Sequence, residues 1–327
     1  MNRINYLDIA KGLLILCLML SHFGSAIRRL EVYNEWFNMI YSVTPLFTCF
    51  FMQCFFLISG YCSSFKGSLR TFCSKQFKQI IIPWFFFEVI GQLLTALFWG
   101  NFNGMYNLLL PPNTTLWFFS ALLFSKIFCY VIINYIKSNR ILIGSSLSLL
   151  LLALIINQYN LIPNILAFQN ALAACFFVSL GYVMRLRGFS DKIMNISFIV
   201  YILSILVLRV LRLTFPVLDA GVSNVGWQYF PIILIVAISG SFACLFICKK
   251  INRFRFLEYF GRNSIIVYGL HFIPLLCCIK FYTNLIMPNG IMSMLLIAFL
   301  IYASLFVILV ILIKIFNTKY LKWIIGR

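Results

Sequence analysis

Apolar runs of about twenty residues alternate with short polar connectors along nearly the whole chain, and that alternation predicts membrane-crossing helices. The runs lie at 9–27, 44–62, 79–99, 115–136, 141–159, 165–184, 193–211, 228–248, 264–282 and 291–316. A helix is the form in which such a run satisfies its own backbone in lipid. The expected fold is therefore all-α, a polytopic bundle of about ten transmembrane helices. No internal repeat, low-complexity tract or separate soluble unit interrupts the pattern. The connectors are too short to fold alone, so residues 1–327 are expected to form one membrane domain. The first run has no small-residue cleavage site and is read as a retained span.

The connectors differ in charge, and the difference predicts orientation. One alternate set carries Lys66, Arg70, Lys75 and Lys78, then Lys137 and Arg140, then Arg185, Arg187 and Lys192, then Lys249, Lys250, Arg253, Arg255 and Arg262. The other set is nearly bare, with no Lys or Arg at 101–114 or 158–164. Basic connectors stay inside, so both termini are expected in the cytoplasm. Trp99, Trp117, Trp227 and Trp323 fall near run ends, as interfacial belts do.

Composition adds three exclusions. With 63% apolar and 10% charged residues, the chain lies far outside the soluble range of about 45–50% and about 25%; its mean hydropathy is +0.99. The net charge of +19 comes from 26 basic residues clustered between apolar runs, which is membrane topology rather than a nucleic-acid patch. Eleven cysteines are present, but eight of them, from Cys17 to Cys278, lie inside apolar runs, without a Cys-x-x-Cys pair and with only two histidines in the chain. They are read as packing residues, and neither a metal site nor a permanently bound cofactor is expected.

Within this apolar sequence the stretch Asp8 to His22 holds an acid, a base and an imidazole. An ionisable group in a membrane helix costs roughly 2.5–3.5 kcal/mol on insertion scales and marks a candidate site. At about 100° per residue, Lys11 and His22 fall roughly 20° apart on one helix face, with Asp8 within about 60° of both. His22 stands about 16 Å above Lys11 on that stripe. Interfacial anchoring by Asp8 and Lys11, and a helix-to-helix hydrogen bond from His22, are the structural alternatives.

Tyr6 to Gly12 followed by Ser21-His22 resembles the first helix of the acyltransferase 3 family, whose pattern is a basic residue, ten residues, then His. The resemblance continues along the chain. Lys75-Gln76-Phe77-Lys78, followed by Pro83, stands where the family has an Arg-x-x-Arg element implicated in acyl-CoA use. Both positions are Lys here, which bind phosphate as point charges without the guanidinium fork. Phe55-Phe56-Leu57-Ile58-Ser59-Gly60-Tyr61 is similar to the family's Phe-rich run into Ser-Gly-Tyr; Ser59 and Gly60 are read as permitting close helix approach. Leu116-Trp117-Phe118-Phe119 is similar to the family's Trp-Phe element, with Trp117 either a sugar platform or an interfacial anchor. Ser264, Tyr268 and His271, four and three apart, resemble the late Ser, Tyr and His element and share one helix face. Counted from the cytoplasm, His271 lies roughly 12 Å in and His22 roughly 20 Å in, at different depths along one passage. Glu88 and Lys126 match no family motif. Each falls mid-span in adjacent spans, and they are expected to pair.

The resemblance implies an integral membrane enzyme of the inner or plasma membrane that moves an acyl group, acetyl as the first expectation, from acyl-CoA to a hydroxyl of a surface or lipid-linked glycan. Lys11, Lys75 and Lys78 would meet the CoA phosphates, and His22, whose ordinary pKa is about 6.5, would accept the hydroxyl proton, with Asp8 orienting Lys11. Trp117, Ser264, Tyr268 and His271 would line the acceptor's path. The alternative is a multi-span transporter or flippase with an intramembrane proton relay. Membrane lipid, acyl-CoA and a glycan are the expected partners; oligomeric state is left open.

Overall fold

A computed structural model describes residues 4–30, 45–100, 116–136, 138–188, 190–210, 229–286 and 290–326, and every regular element among them is helical. The helices are α1 Asn5–Arg29, α2 Phe51–Cys62, α3 Leu69–Gln76 and α4 Ile82–Trp99. There follow α5 Trp117–Ile136, α6 Asn139–Gln158, α7 Phe168–Arg187 and α8 Asp191–Val210. The last are α9 Phe230–Ile251, α10 Arg255–Arg262, α11 Ser264–Leu270, α12 Phe272–Leu285 and α13 Ile291–Phe316.

Among the described residues seven helical stretches are long and apolar enough to cross a membrane: Asn5–Ile27, Leu69–Phe98, Trp117–Tyr135, Asn139–Gln158, Ile165–Arg187, Phe230–Ile251 and Ile291–Phe316. The pair α11 and α12, bent by 53°, makes an eighth if it counts as one span. The predicted run 44–62 becomes a single turn, Pro45–Thr48, and the shorter α2, while 193–211 becomes α8. Length and apolarity thus account for seven or eight of the about ten crossings expected.

Two elements depart from the apolar pattern for identifiable reasons. The second of these crossings, which answers to the third predicted run, starts at Leu69, well before the predicted 79, capped by Ser68, whose Oγ accepts from the Thr71 N–H at 3.3 Å. The helix continues through one π turn at Phe77–Ile81. Pro83 has no N–H to give the Gln79 carbonyl and its ring crowds that oxygen, so the ladder widens there. The basic stretch around Arg255 was expected as a connector. It is instead the amphipathic α10, with Leu257, Phe260 and Gly261 turned inward.

Lipid tails are as apolar as the helices, so close backbone approach has to supply much of the attraction between them. Small residues provide it at two crossings. A Cβ on Gly60 of α2 would stand 2.0 Å from the Val178 carbonyl oxygen of α7, and one on Gly181 would stand 2.0 Å from that of Leu57. Similarly, a Cβ on Gly12 of α1 would lie 2.1 Å from the Leu257 oxygen of α10, and one on Gly261 would lie 1.8 Å from that of Asp8. The Gly60 reading from the sequence is thereby met, and the α1–α10 crossing sets Arg262 beside Asp8. Large apolar side chains face outward on α4, α8 and α13, among them Leu97, Leu203 and Phe299. A surface of that kind is at home in lipid.

Candidate active site

The two histidines of the chain meet. His22 Nδ1 lies 2.8 Å from His271 Nε2, and the rings stack with centroids 4.9 Å apart. His271 sits at the 53° bend between α11 and α12 and is completely buried, whereas His22 keeps part of its surface accessible. Sequence counting put the two at different depths. That count treated both spans as straight rods leaving one plane, which the helix break at Asn263 and the bend at His271 rule out.

The pair's protons can be placed by elimination. His271 Nδ1 lies 3.0 Å from the carbonyl oxygens of Val267 and Tyr268, which only accept, so that nitrogen carries a hydrogen and donates it. One further proton is shared between Nε2 of His271 and Nδ1 of His22. The remaining nitrogen, Nε2 of His22, is therefore the position at which the pair gains or loses a proton. Phe272 closes one side of the His22 ring edge-on, with centroids 5.4 Å apart.

A cavity of about 390 Å³ opens near the other end of α1. Its walls include Lys11, Ser59, Lys75, Gln76, Lys126 and Ser264, with Phe55, Ile58, Phe118 and Leu122 as apolar panels. Phe118, Leu122 and Lys126 recur every fourth residue, so one face of α5 grades from cationic at Lys126 to aromatic at Phe118. From Phe118 the wall continues to Tyr268, whose hydroxyl accepts the Phe118 N–H at 3.3 Å and whose ring lies 6.5 Å from that of His271. Beside the cavity a groove of about 460 Å³ is lined by Arg70, Thr71, Ser74 and Lys78, and the two spaces share Lys75, Gln79 and Gly326.

The structure distributes the sequence candidates over three places. Lys11, Lys75 and Ser264 line the cavity, and Lys78 lines the groove. Tyr268 and His271 lie deeper, behind Phe118; His271, expected on the acceptor's path, is completely buried and bonds His22. Trp117 lies tilted to Phe56 and edge-on to Phe118, with ring centroids 6.4 Å away in both cases, and lines neither space. Asp8 lies 3.8 Å from Lys11 and 3.6 Å from Arg262, which also bonds Glu258 at 3.0 Å. About 21 Å of helix separates Asp8 from His22, so its influence reaches Lys11 and not the imidazole.

The expected Glu88–Lys126 ion pair is not formed. Glu88 accepts from the Gln92 amide at 3.0 Å, one turn along its own helix, and Lys126 faces the cavity. The spacing of four between Glu88 and Gln92 was the readable signal. Gln76, Phe118 and Arg262 are the site residues that sequence reasoning did not select. Among the described residues no three His, Cys, Asp or Glu side chains come together, and all eleven cysteines are free.

The acyltransferase-domain model of the acyltransferase 3 family matches residues 4–314. No curated protein and no solved structure matches the chain.

Proposed function

The chain belongs to the acyltransferase 3 family, and from that premise we propose that it is a membrane O-acyltransferase carrying an acyl group, acetyl first, from cytoplasmic acyl-CoA to a hydroxyl of a cell-surface or lipid-linked glycan. The observation that carries the reading is the histidine pair, because it leaves a single titrating nitrogen on the accessible ring. His22 Nε2 takes the proton of the acceptor hydroxyl as its oxygen attacks the thioester carbonyl. The new C–O bond replaces the C–S bond, and the proton passes to the departing thiolate, giving the ester and CoA thiol. His271, held by two backbone carbonyls, keeps the His22 ring oriented and shares the charge that develops on it. A general base of this kind is worth about 10²–10⁴ in rate.

The donor's phosphates fall to Lys11, Lys75 and Lys78, with Asp8 steadying Lys11. Ser264 and Tyr268 mark the way from the cavity toward the pair. Lys11 near one end of the chain and Gly326 near the other line the same cavity, which supports both termini on one face. The alternation of basic and bare connectors supports that face being cytoplasmic in the inner or plasma membrane. Trp117 has no part in this scheme.

The test is His22→Ala in purified protein, with glycan acylation followed by mass spectrometry and acyl-CoA binding measured separately. Transfer is expected to fall about 10²–10⁴-fold with binding retained. Transfer at the wild-type rate would make His22 structural and remove the mechanism.

A further inference from the structure

Lys126 is 8% exposed in mid-helix, faces the cavity, and has no carboxylate within ion-pair distance among the described residues. Each of the four described carboxylates is engaged elsewhere: Asp8 with Lys11 and Arg262, Glu88 with Gln92, Asp191 with Lys249, and Glu258 with Arg262. Lys11 and Lys75 line the same cavity, so the local charge is positive and uncompensated but for the Asp8 contact. A charge taken out of water without a partner is destabilising, and a protein that keeps one has a use for it. Gln76, 4% exposed, adds a second unmet group on the same wall: its Oε1 has no hydrogen-bond partner. The space between them therefore asks for a ligand that brings an anion to Lys126 and an N–H to Gln76, followed by an apolar portion for Leu122 and Phe118.

We infer that Lys126 and Gln76 form a ligand subsite in which the Lys126 ammonium binds a phosphate of the donor while Gln76 Oε1 accepts an amide N–H of its pantetheine arm. This assignment rests on the acyl-CoA reading above and extends it to Lys126, outside the motifs that suggested it, and to Gln76, which lies between the two lysines of one of them. The direction follows from α5: phosphate at Lys126, then the arm past Leu122 and Phe118, pointing toward Tyr268 and the histidines. The shared Lys75 and Gln79 let one ligand extend from the cavity into the outer groove, where Arg70 and Lys78 wait for its remaining charges.

The experiment compares CoA, inorganic pyrophosphate and S-acetylpantetheine, which lacks phosphate, as ligands for the purified full chain in detergent. Lys126→Met is expected to weaken CoA and pyrophosphate about 10- to 100-fold, to lessen the salt dependence of CoA binding, and to leave S-acetylpantetheine unchanged. Gln76→Met is expected to weaken CoA and S-acetylpantetheine alike, with pyrophosphate unaffected. Lys126→Met should also raise the unfolding temperature of the ligand-free protein, because an unpaired buried charge is gone. If wild type binds CoA and Lys126→Met binds it equally, the subsite is wrong and the acyl-CoA reading stands. If wild type binds pyrophosphate through Lys126 but not CoA, the donor assignment falls and Lys126 is retained as an anion site only. Should Lys126→Met fail to fold, Lys126→Gln carries the same comparison, and lowered stability in both would overturn the proposal in favour of a structural lysine.

Discussion

The histidine pair and the lysine cavity are both polar sites inside an apolar bundle, yet their polar groups are handled in opposite ways. In the pair, three of the four ring nitrogens are met by protein: two by each other and one by backbone carbonyls. In the cavity, the buried Lys126 has no carboxylate partner among the described residues and the buried Gln76 Oε1 accepts nothing. Buried polar groups cost free energy unless they are paired, so the first arrangement is complete without a ligand and the second is not. A finished network fixes geometry in advance, which suits a group that must present one nitrogen in one direction. An unfinished one stores a demand that a ligand of the right charge answers.

The largest expected effect tests whether the pair is indeed finished by His271. His271→Leu removes the acceptor for His22 Nδ1–H and frees the ring to turn and to change tautomer. Acyl transfer should fall by about 10²-fold or more, with the KM for acyl-CoA little changed. His271→Gln is the discriminating variant, since its amide oxygen reaches about where Nε2 stood and can accept the same hydrogen. It should retain roughly tenfold more activity than the Leu variant. Equal losses in both would reduce His271 to a space-filling residue at the bend, and the pH–rate profile would then be the same shape in both as in wild type.

A second effect, smaller and on stability, concerns the helix that carries both regions. α1 holds Lys11 at the cavity and His22 at the pair, and its height is set where Gly12 and Gly261 cross. A methyl on Gly261 would stand 1.8 Å from the Asp8 carbonyl oxygen, and backbone on a helix cannot step aside as a side chain can. Gly261→Ala should therefore cost about 1–3 kcal/mol, read as a lower unfolding temperature in detergent. It should also loosen the Asp8–Arg262 contact before it disturbs the histidines, since the crossing lies at the cavity end of α1. Wild-type stability in this variant would mean that the two helices are not held at this distance.

How much of this could be read from the sequence follows the same division. Lys11 and His22 were legible because an ionisable residue in an apolar run is rare and its face follows from helical period alone. The close approach at Gly60 was legible because a small residue in a membrane helix has few other uses. The meeting of His22 and His271 was not, because a depth count cannot foresee the bend of 53° at one of the two residues. Lys126 is legible as a charge in an apolar run but its neighbour is not, since equal depth says nothing about which way a helix is rotated. Its spacing from Phe118 and Leu122 settles the rotation only once the cavity is known. Gln76 carried no signal at all: a glutamine between two lysines looks like solvent-facing sequence until α3 buries it.

The smallest effect expected is the absence of coupling between Glu88 and Lys126, and it separates a finished site from an unfinished one by thermodynamics alone. Were they an ion pair, removing either charge would strand the other, and removing both would restore much of the loss, with a coupling of several kcal/mol for a buried pair. The geometry has Glu88 bonded to Gln92 and Lys126 turned to the cavity, so each substitution acts on its own surroundings. Glu88→Gln keeps a group of the same shape beside Gln92 and should change stability by only about 0.5 kcal/mol. Lys126→Met should be stabilising without ligand, as the loss of an unpaired buried charge requires. The double variant should then equal the sum of the two within about 0.5 kcal/mol, as independent sites do. Unfolding of the four proteins of this cycle in one detergent, without CoA and then with it, is the measurement. A coupling of 2 kcal/mol or more without ligand, well beyond the roughly 0.5 kcal/mol allowed to independent sites, would show that the charges do meet. Lys126 would then belong with the satisfied groups, and the contrast between the two regions would have to be redrawn.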